Sequence, residues 1–260
     1  MRQVNLDELR VRTESRDRAE ALSVKEVLER LYQNLPSVVD VGSKNDTLDN
    51  SKYVRLAREY SYRNYRFCRY SDILDLGLDN SFHYFHKKFL TQEGAVLAIF
   101  NSLNDKPVSL VFRSLTSKEF VDYSLFSGLY GYDMIDSAFR YGQVIILTEG
   151  VYDADSIRPI YPNTLAVMTS GISINQVNIL KSLSNKFICA FDSDDAGQRG
   201  FERAKKSFPD LRRLEVYQKD KDVGVMEEMR GSLFEFDSRR DYYSKEISNL
   251  IASFNFGGLS

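Results

Sequence analysis

Cysteine and histidine are scarce in this chain. Its 260 residues include two cysteines, Cys68 and Cys189, and two histidines, His83 and His86. Two thiols cannot supply a four-ligand zinc site, and they provide no disulfide framework. The histidines have no third ligand nearby in the sequence, so polar or packing roles are the favoured interpretation. We therefore expect no zinc, and the cysteine content suits a reducing compartment.

Long apolar segments are absent as well. No run of about 18 apolar residues occurs, and the N-terminal segment MRQVNLDELRVRTESRDRAEAL has no signal-peptide core. We expect a cytoplasmic protein with no membrane partner. The composition, 43% hydrophobic and 28% charged, is that of an ordinary globular protein. At this length the chain suits one large domain or two small ones.

The hydrophobic pattern divides the chain into four regions. Residues 1–50 form a helical N-terminal region, and residues 51–140 a mixed α/β subdomain with a basic surface. Residues 141–225 alternate between strands and helices, and residues 226–260 give a C-terminal helix and tail. We expect an α/β fold in which a central parallel sheet is flanked by helices and preceded by a smaller mixed α+β subdomain.

Capping boxes mark two helix starts. The predicted pairs are Ser23 with Glu26 and Ser173 with Gln176. Apolar residues follow each pair at helical spacing, which predicts one apolar face on each helix. These residues are Val27, Leu28 and Leu31 in the first helix, and Ile174, Val177 and Leu180 in the second.

Short apolar runs predict the strands. AVLAIF, PVSLVF and EFVDYSLF indicate strands in the upstream subdomain, whereas VIILT, TLAVM, KFICAF and RLEVY alternate with helices downstream. The helices lie near residues 153–160, 173–184 and 195–207. This alternation favours a parallel sheet with right-handed crossovers, and such sheets bind ligands at the carboxyl ends of their strands.

Acidic residues follow three of these four downstream strands. They are Glu149 and Asp153 after the first, Asp192, Asp194 and Asp195 after the third, and Asp220 and Asp222 after the fourth. Like charges gathered at one edge repel one another unless a cation neutralises them. Oxygen ligands suit Mg²⁺ or Mn²⁺, which support phosphoryl and nucleotidyl transfer. The alternative is helix capping, by Asp192 or Asp194 for one helix and by Asp153 for another.

The acidic segments resemble the toprim domain in its bacterial-primase form. The resemblance is carried by TEGVYDADSI, MTSGISINQVNIL, CAFDSDDAGQRGFERA and QKDKDVG. The matching positions are Glu149, Asp153, Gly171, Asp192, Asp194, Ala196, Gly197, Lys221 and Asp222. Val223 departs from the pattern, because a proline is common at that position in the family.

The resemblance implies the catalytic core of a DNA primase, which makes short RNA primers from ribonucleoside triphosphates on single-stranded DNA. It places Glu149 closest to the chemistry, with Asp153, Asp192, Asp194 and Asp222 as ligands of Mg²⁺ or Mn²⁺. Two alternatives stay open at this point. One is a toprim nuclease that uses the same metals, and the other is an inactive toprim that binds nucleic acid.

The zinc-binding module and the helicase-binding region of bacterial primases are not visible in the sequence. The chain therefore resembles the stripped catalytic cores that phage and plasmid genomes encode, with the bacterial cytoplasm or an infected host cell as its location. We expect a partner protein to supply the missing roles, either a replicative helicase or a separate subunit that recognises start sites.

Basic residues upstream are candidates for binding the template or the nucleotide. The stretch before residue 140 resembles the subdomain that precedes toprim in primases, which assigns this role to Arg113 and Lys118. Residues 52–70 interleave arginines with aromatic residues, a pattern typical of single-strand binding. The further candidates are Arg55, Arg58, Arg63, Arg66, Arg69, Lys87 and Lys88. The alternative is an amphipathic packing element whose aromatic side chains lie in the core.

Overall fold

The computed structural model of the chain divides into two compact units, Met1–Gly128 and Leu129–Ser260. The residues it describes are 22–42, 52–60, 64–78, 94–103, 106–117, 119–124, 128–168, 171–217, 220–224 and 232–256. The predicted regional boundaries at residues 50, 140 and 225 stay predictions.

The first unit contains a four-stranded antiparallel sheet. Its strands are β1 (Tyr65–Arg69), β2 (Ala95–Leu103), β3 (Lys106–Ser114) and β4 (Phe120–Ser124), in the order β1-β2-β3-β4. The helices are α1 (Val24–Asn34), α2 (Val38–Gly42), α3 (Lys52–Tyr60) and α4 (Tyr70–Asp75). The mixed α+β architecture and three of the strands agree with the prediction.

Helix α1 covers one face of this sheet. Ser23 caps it reciprocally with Glu26, whose amide donates to Ser23 Oγ at 3.3 Å while the Ser23 amide donates back at 2.7 Å. This confirms the predicted capping box. The predicted apolar face is buried in one core with side chains from β2 and β3. The helical members of that core are Val27, Leu28 and Leu31.

The basic and aromatic segment 52–70 does not form a single helix. It divides between α3 and β1, with Arg63 outside the described residues. Tyr65 and Phe67 are buried on one face of β1, as expected from the alternation of residue types along Tyr65–Arg69. These aromatic rings therefore belong to the core, which was the alternative interpretation of the segment.

The second unit contains a four-stranded parallel sheet. Its strands are β5 (Ile145–Thr148), β6 (Thr164–Ala166), β7 (Phe187–Ala190) and β8 (Arg212–Arg213), in the order β6-β5-β7-β8. Helices α5 (Val151–Ile157), α6 (Ile174–Leu183) and α7 (Asp195–Ser207) connect them, and α8 (Leu233–Phe256) follows. Strands β5 and β7 are buried throughout, as is usual in a sheet covered by helices.

Two sequence expectations for this unit need correction. The fourth strand is shorter than the predicted RLEVY run, because the chain leaves the ladder at Leu214 and packs against α8. Ile174 is 71% exposed, since it lies in the first turn of α6, whereas Val177 and Leu180 are buried. The Ser173–Gln176 capping box is present as predicted. Within the described residues, no helix combines the length and apolarity that crossing a bilayer requires.

Candidate active site

The carboxyl ends of β5 and β7 bring two acidic residues to the same edge of the parallel sheet. Thr148 lies opposite Ala190 in the ladder, so Glu149 and Asp192 leave neighbouring strands at almost the same level. Each is half-buried. Glu149 is therefore enclosed at the position where we predicted a ligand-binding edge.

Glu149 is a carboxyl group in an unfavourable environment. Burial, followed by repulsion from Asp192 and Asp194, raises its pKa to about 7. Its Oε1 atom is buried and accepts no hydrogen bond from the described residues. Arg203 of α7 opposes the shift by its positive charge. A buried carboxylate oxygen without a donor is an expected place for a cation.

Asp192 and Asp194 have different surroundings although one residue separates them. Burial and the charge of Asp222 raise the pKa of Asp192 to about 6. Asp194 is exposed and caps α7, where Oδ1 accepts the amides of Ala196 and Gly197 at 2.9 Å, and these bonds lower its pKa. The capping alternative therefore holds for Asp194, whose Oδ2 accepts no hydrogen bond from the described residues.

Asp153 connects two loops of the site through the backbone. Its Oδ2 accepts the Gly150 amide at 3.1 Å, and its Oδ1 accepts the Gly224 amide at 3.1 Å. Protein atoms enclose this carboxyl group, and burial together with Asp222 and Asp192 raises its pKa well above the usual range. Asp153 caps the start of α5 and also fixes the loop that carries Asp222.

The two acids after β8 have separate roles. Asp220 forms a double ion pair with Arg239 of α8, at 2.6 Å to Nε and 2.9 Å to Nη2. Asp222 instead acts on the pKa values of Asp153 and Asp192, so its charge faces the acidic edge. The structure thus brings Asp222, but not Asp220, to the predicted cluster.

Glycines allow this close approach. A Cβ atom on Gly197 would lie 2.1 Å from the Asp192 carbonyl oxygen, and one on Gly224 would lie 2.8 Å from Asp153 Oδ1. Real Cβ atoms do not approach other atoms so closely. The toprim resemblance included Gly197. Gly224 escaped notice, although its place just after the Lys221-Asp222 pair was a usable signal.

Two arginines near the acids also escaped the sequence analysis, which included only Lys221, through the family pattern. Arg203 acts on Glu149, Arg199 acts on Asp194, and Lys221 acts on Asp192 and Asp194. The two arginines stand four residues apart on α7, a spacing that places them on one side of the helix. That spacing was the signal for finding them. A strongly anionic ligand with bound cations could contact both sets of charges.

The acidic edge fits a hard divalent cation. The group consists of carboxylate oxygens held close enough to raise one another's pKa values, and Glu149 Oε1 is without a donor. Across the part of the chain that the structure describes, no three or more His, Cys, Asp or Glu side chains form a ready-made metal cage. Mg²⁺ suits such a site, because it takes one or two protein carboxylates and completes its shell with water and substrate phosphate. The expectation that zinc is not used stays a prediction.

Three of the arginines in the first unit lie against aromatic rings. The Arg113 guanidinium lies 4.9 Å from the Tyr53 ring centroid and donates to the Tyr53 hydroxyl at 3.1 Å. Arg66 and Arg69 contact rings in the same way, at 4.5 Å and 4.9 Å. Arg55 is exposed on α3, and Arg58 is half-buried. The remaining candidates lie outside the described residues: Arg63, Lys87, Lys88 and Lys118, together with His83 and His86.

One segment of the second unit is similar to a known protein family. Residues 146–224 match the family model for Toprim-like domains. This range begins inside β5, ends at Gly224 and contains each acid of the cluster. No curated protein sequence matches the chain.

Solved structures with a similar fold include primase catalytic domains. The Escherichia coli primase catalytic core aligns with 86% of this chain and 82% of its own length, at 14% identity and a TM-score of 0.56. A DnaG primase catalytic domain bound to ssDNA aligns with 85% of this chain and 82% of its own length, at 16% identity and a TM-score of 0.52. A Pseudomonas aeruginosa DNA primase domain aligns with 83% of this chain and 78% of its own length, at 14% identity and a TM-score of 0.53. At these identities the shared property is the fold, and the alignments include both units.

Proposed function

We propose that this chain, which has a toprim domain and the fold of primase catalytic cores, is a DNA primase. It would join ribonucleoside triphosphates into short RNA primers on a single-stranded DNA template during DNA replication. The observation that carries the proposal is the acidic edge: Glu149 and Asp192 at adjacent strand ends, each with a raised pKa, and an unpaired Glu149 oxygen. Such an edge matches nucleotidyl transfer, which needs cations beside a triphosphate.

The site residues would have separate roles in metal binding and proton transfer. Glu149 lies at the centre of the edge and, with a pKa of about 7, can hold a metal or accept the proton of a 3′-hydroxyl. Asp192 and the free Oδ2 of Asp194 would hold the metals beside the triphosphate. Bound Mg²⁺ or Mn²⁺ would stabilise the attacking and leaving oxygens of the transfer.

Two further acids complete the cluster. Asp222 adds a ligand from the last loop, and Asp153 stays a predicted ligand whose two backbone bonds also hold that loop. On the side of the substrate, Arg203 and Lys221 would balance the charge of the triphosphate, because both already act on the acidic residues. Each of these assignments is a separate target for substitution.

The first unit would bind the template. Arg113 and Arg66 are held against aromatic rings, an arrangement that orients the positive charge of each guanidinium group. Arg55 on α3 and Arg69 on β1 would add contacts to phosphate. A replicative helicase or a start-site-recognition subunit is the proposed protein partner.

The test is primer synthesis by the full chain on single-stranded DNA with labelled ribonucleoside triphosphates and Mg²⁺ or Mn²⁺. We expect short RNAs from the wild type and at least about a hundredfold less from Glu149→Gln, since this carboxyl group takes part in the chemical step. Glu202→Gln is the matched control, because this substitution makes the same chemical change at an exposed position on α7.

Other outcomes would select the alternatives. Template cleavage that is lost in Glu149→Gln would establish the nuclease, which needs no triphosphate. DNA binding with neither product and with no calorimetric Mn²⁺ binding would indicate a toprim that has no catalytic role. The match to primase cores over both units favours the synthetic reaction, since a cleaving enzyme needs only the toprim unit.

A further inference from the structure

We infer that Arg239, on the C-terminal helix α8, is a positioning residue that holds the Asp222 loop at the acidic edge and thereby sets the metal affinity of the site. The inference rests on the proposed function, because it assigns Asp222 and its neighbours a role in binding a divalent cation. Arg239 lies outside the segment that matches the Toprim-like model, which ends at residue 224.

Arg239 anchors this loop at Asp220. The guanidinium group donates from Nε at 2.6 Å and from Nη2 at 2.9 Å to the two carboxylate oxygens of Asp220. Only 11% of the arginine side chain and 9% of the aspartate side chain are exposed. The same guanidinium lies 4.8 Å from the Tyr217 ring centroid. A two-point bond between nearly buried partners fixes orientation as well as distance.

A second contact with α8 supports the first. The Tyr217 amide donates to the Tyr243 hydroxyl at 3.1 Å, and the Asp220 amide donates to the Tyr217 carbonyl at 2.9 Å. Val223 is buried in one core with Tyr243 and Ile247 of α8. The backbone on both sides of Asp220 is therefore held by the helix through polar and apolar contacts.

The anchored loop reaches the acidic edge at two places. The Lys221 carbonyl accepts the amide of Ser193 at 2.9 Å and its hydroxyl at 2.8 Å, and Ser193 lies between Asp192 and Asp194. The Gly224 amide donates to Asp153 at 3.1 Å. Asp222 stands between these two contacts. A shift of the loop would therefore displace Asp222 and loosen the carboxyl groups on either side.

Removing the arginine has a predictable consequence. Asp220 would become a poorly exposed carboxylate without its partner, a state that the loop can relieve by moving toward water. Residues that orient metal ligands without touching the metal typically change metal affinity by about 10-fold to 100-fold when they are replaced. We expect the lower end of this range, because Ser193 and Gly224 would still hold the loop.

The experiment is a Mn²⁺ titration of the full chain, in which electron paramagnetic resonance measures free Mn²⁺. Arg239→Leu should bind Mn²⁺ about tenfold more weakly than the wild type. Arg239→Lys should recover part of the loss, because lysine keeps the charge but cannot form the two-point bond. Arg240→Leu is the matched control, since Arg240 is exposed on the same helix and should bind Mn²⁺ as the wild type does.

A purely structural role gives a different result. Arg239→Leu would then unfold at a lower temperature yet bind Mn²⁺ with wild-type affinity while folded, and this outcome would overturn the inference. If that variant does not fold, Asp220→Asn tests the same bond with an isosteric change, and unchanged affinity there overturns the inference equally. A wild-type protein that binds no Mn²⁺ would instead refute the proposed function, so the two failures are distinguishable.

Discussion

The two sheets present their charged residues in opposite ways. In the antiparallel sheet of the first unit, Arg66, Arg69 and Arg113 lie on the strands themselves and rest on aromatic rings. In the parallel sheet of the second unit, Glu149 and Asp192 come after the strands have ended. The first arrangement distributes positive charge over both faces of a sheet, with Arg66 on one face and Arg69 and Arg113 on the other, whereas the second concentrates negative charge at an edge.

This difference determines how each surface is held. Each of these three arginines contacts its own ring, so one residue can change without moving the next. The acids of the second unit are tied together through the backbone, as Gly224 bonds Asp153 and Ser193 bonds Lys221. We therefore expect changes at the acidic edge to be large and coupled, and changes at the arginines of the first unit to be small and nearly additive.

The largest effect on stability should come from Gly197→Ala. The added Cβ would lie 2.1 Å from the carbonyl oxygen of Asp192 and within 3 Å of two more backbone atoms of that residue. Backbone atoms cannot move away as the end of a flexible side chain can. We therefore expect the free energy of unfolding to fall by about 1–3 kcal/mol, as in overpacked cores. Urea unfolding of the two proteins measures the loss.

Gly171→Ala is the control for this prediction. Among the described residues, a Cβ at Gly171 would meet Arg203 alone, at an ordinary contact distance of 3.9 Å, so the stability of this variant should stay near that of the wild type. Equal stability of Gly197→Ala and Gly171→Ala would show that the backbone at the acidic edge can move to accept a Cβ atom. The acidic edge would then not be held more tightly than the arginines of the first unit.

Much of the second unit could be predicted from the sequence, because its signals are local. The buried run Ile145–Thr148 and the capping pair Ser173–Gln176 each lie within a few residues, and both are present as predicted. Acids placed after successive strands converge through a general property of parallel sheets. The prediction of the acidic edge therefore needed no knowledge of the tertiary contacts.

Features that depend on distant contacts could not be predicted in the same way. Asp220 and Asp222 look alike in the sequence, but Arg239, 19 residues from Asp220, holds one and leaves the other for the site. The division of segment 52–70 between a helix and a strand is a second such feature, since the pairing of β1 with β2 determines where the strand lies. Propensity is a weak guide where tertiary pairing decides.

A smaller effect is expected in the dependence of stability on pH without metal. Folding raises the pKa of Glu149 to about 7 and that of Asp192 to about 6, above unfolded values of about 4. Between about pH 4 and pH 7 the folded state therefore binds more protons than the unfolded state, and the raised pKa of the buried Asp153 carboxyl group adds to this difference. Stability should fall as pH rises through this range. The lowered pKa of Asp194 acts in the opposite sense, but below about pH 4.

Thermal melts in a chelator, compared with Asp192→Asn, isolate this contribution. The variant relieves the repulsion on Glu149, so it should gain a few degrees over the wild type between pH 5 and pH 8. Excess Mg²⁺ should reduce the gain, because the cation neutralises the same charges in the wild type. A difference in melting temperature that increases toward acid pH would mean that repulsion among the carboxylates does not destabilise the acidic edge.

The smallest effect, and the sharpest contrast with the edge, belongs to Arg113. Replacing it by methionine removes one positive charge while Tyr53 and Phe120 keep the strand covered. If Arg113 contacts one phosphate, the slope of log binding constant against log salt should fall in magnitude by about 0.7 for single-stranded DNA. Fluorescence anisotropy at several salt concentrations measures this slope, and Arg113→Lys should restore it.

Replacing Arg55 as well should lower the slope by a similar amount again, because the two charges lie on different elements. A double variant that loses all binding would show that these arginines are as coupled as the residues of the acidic edge.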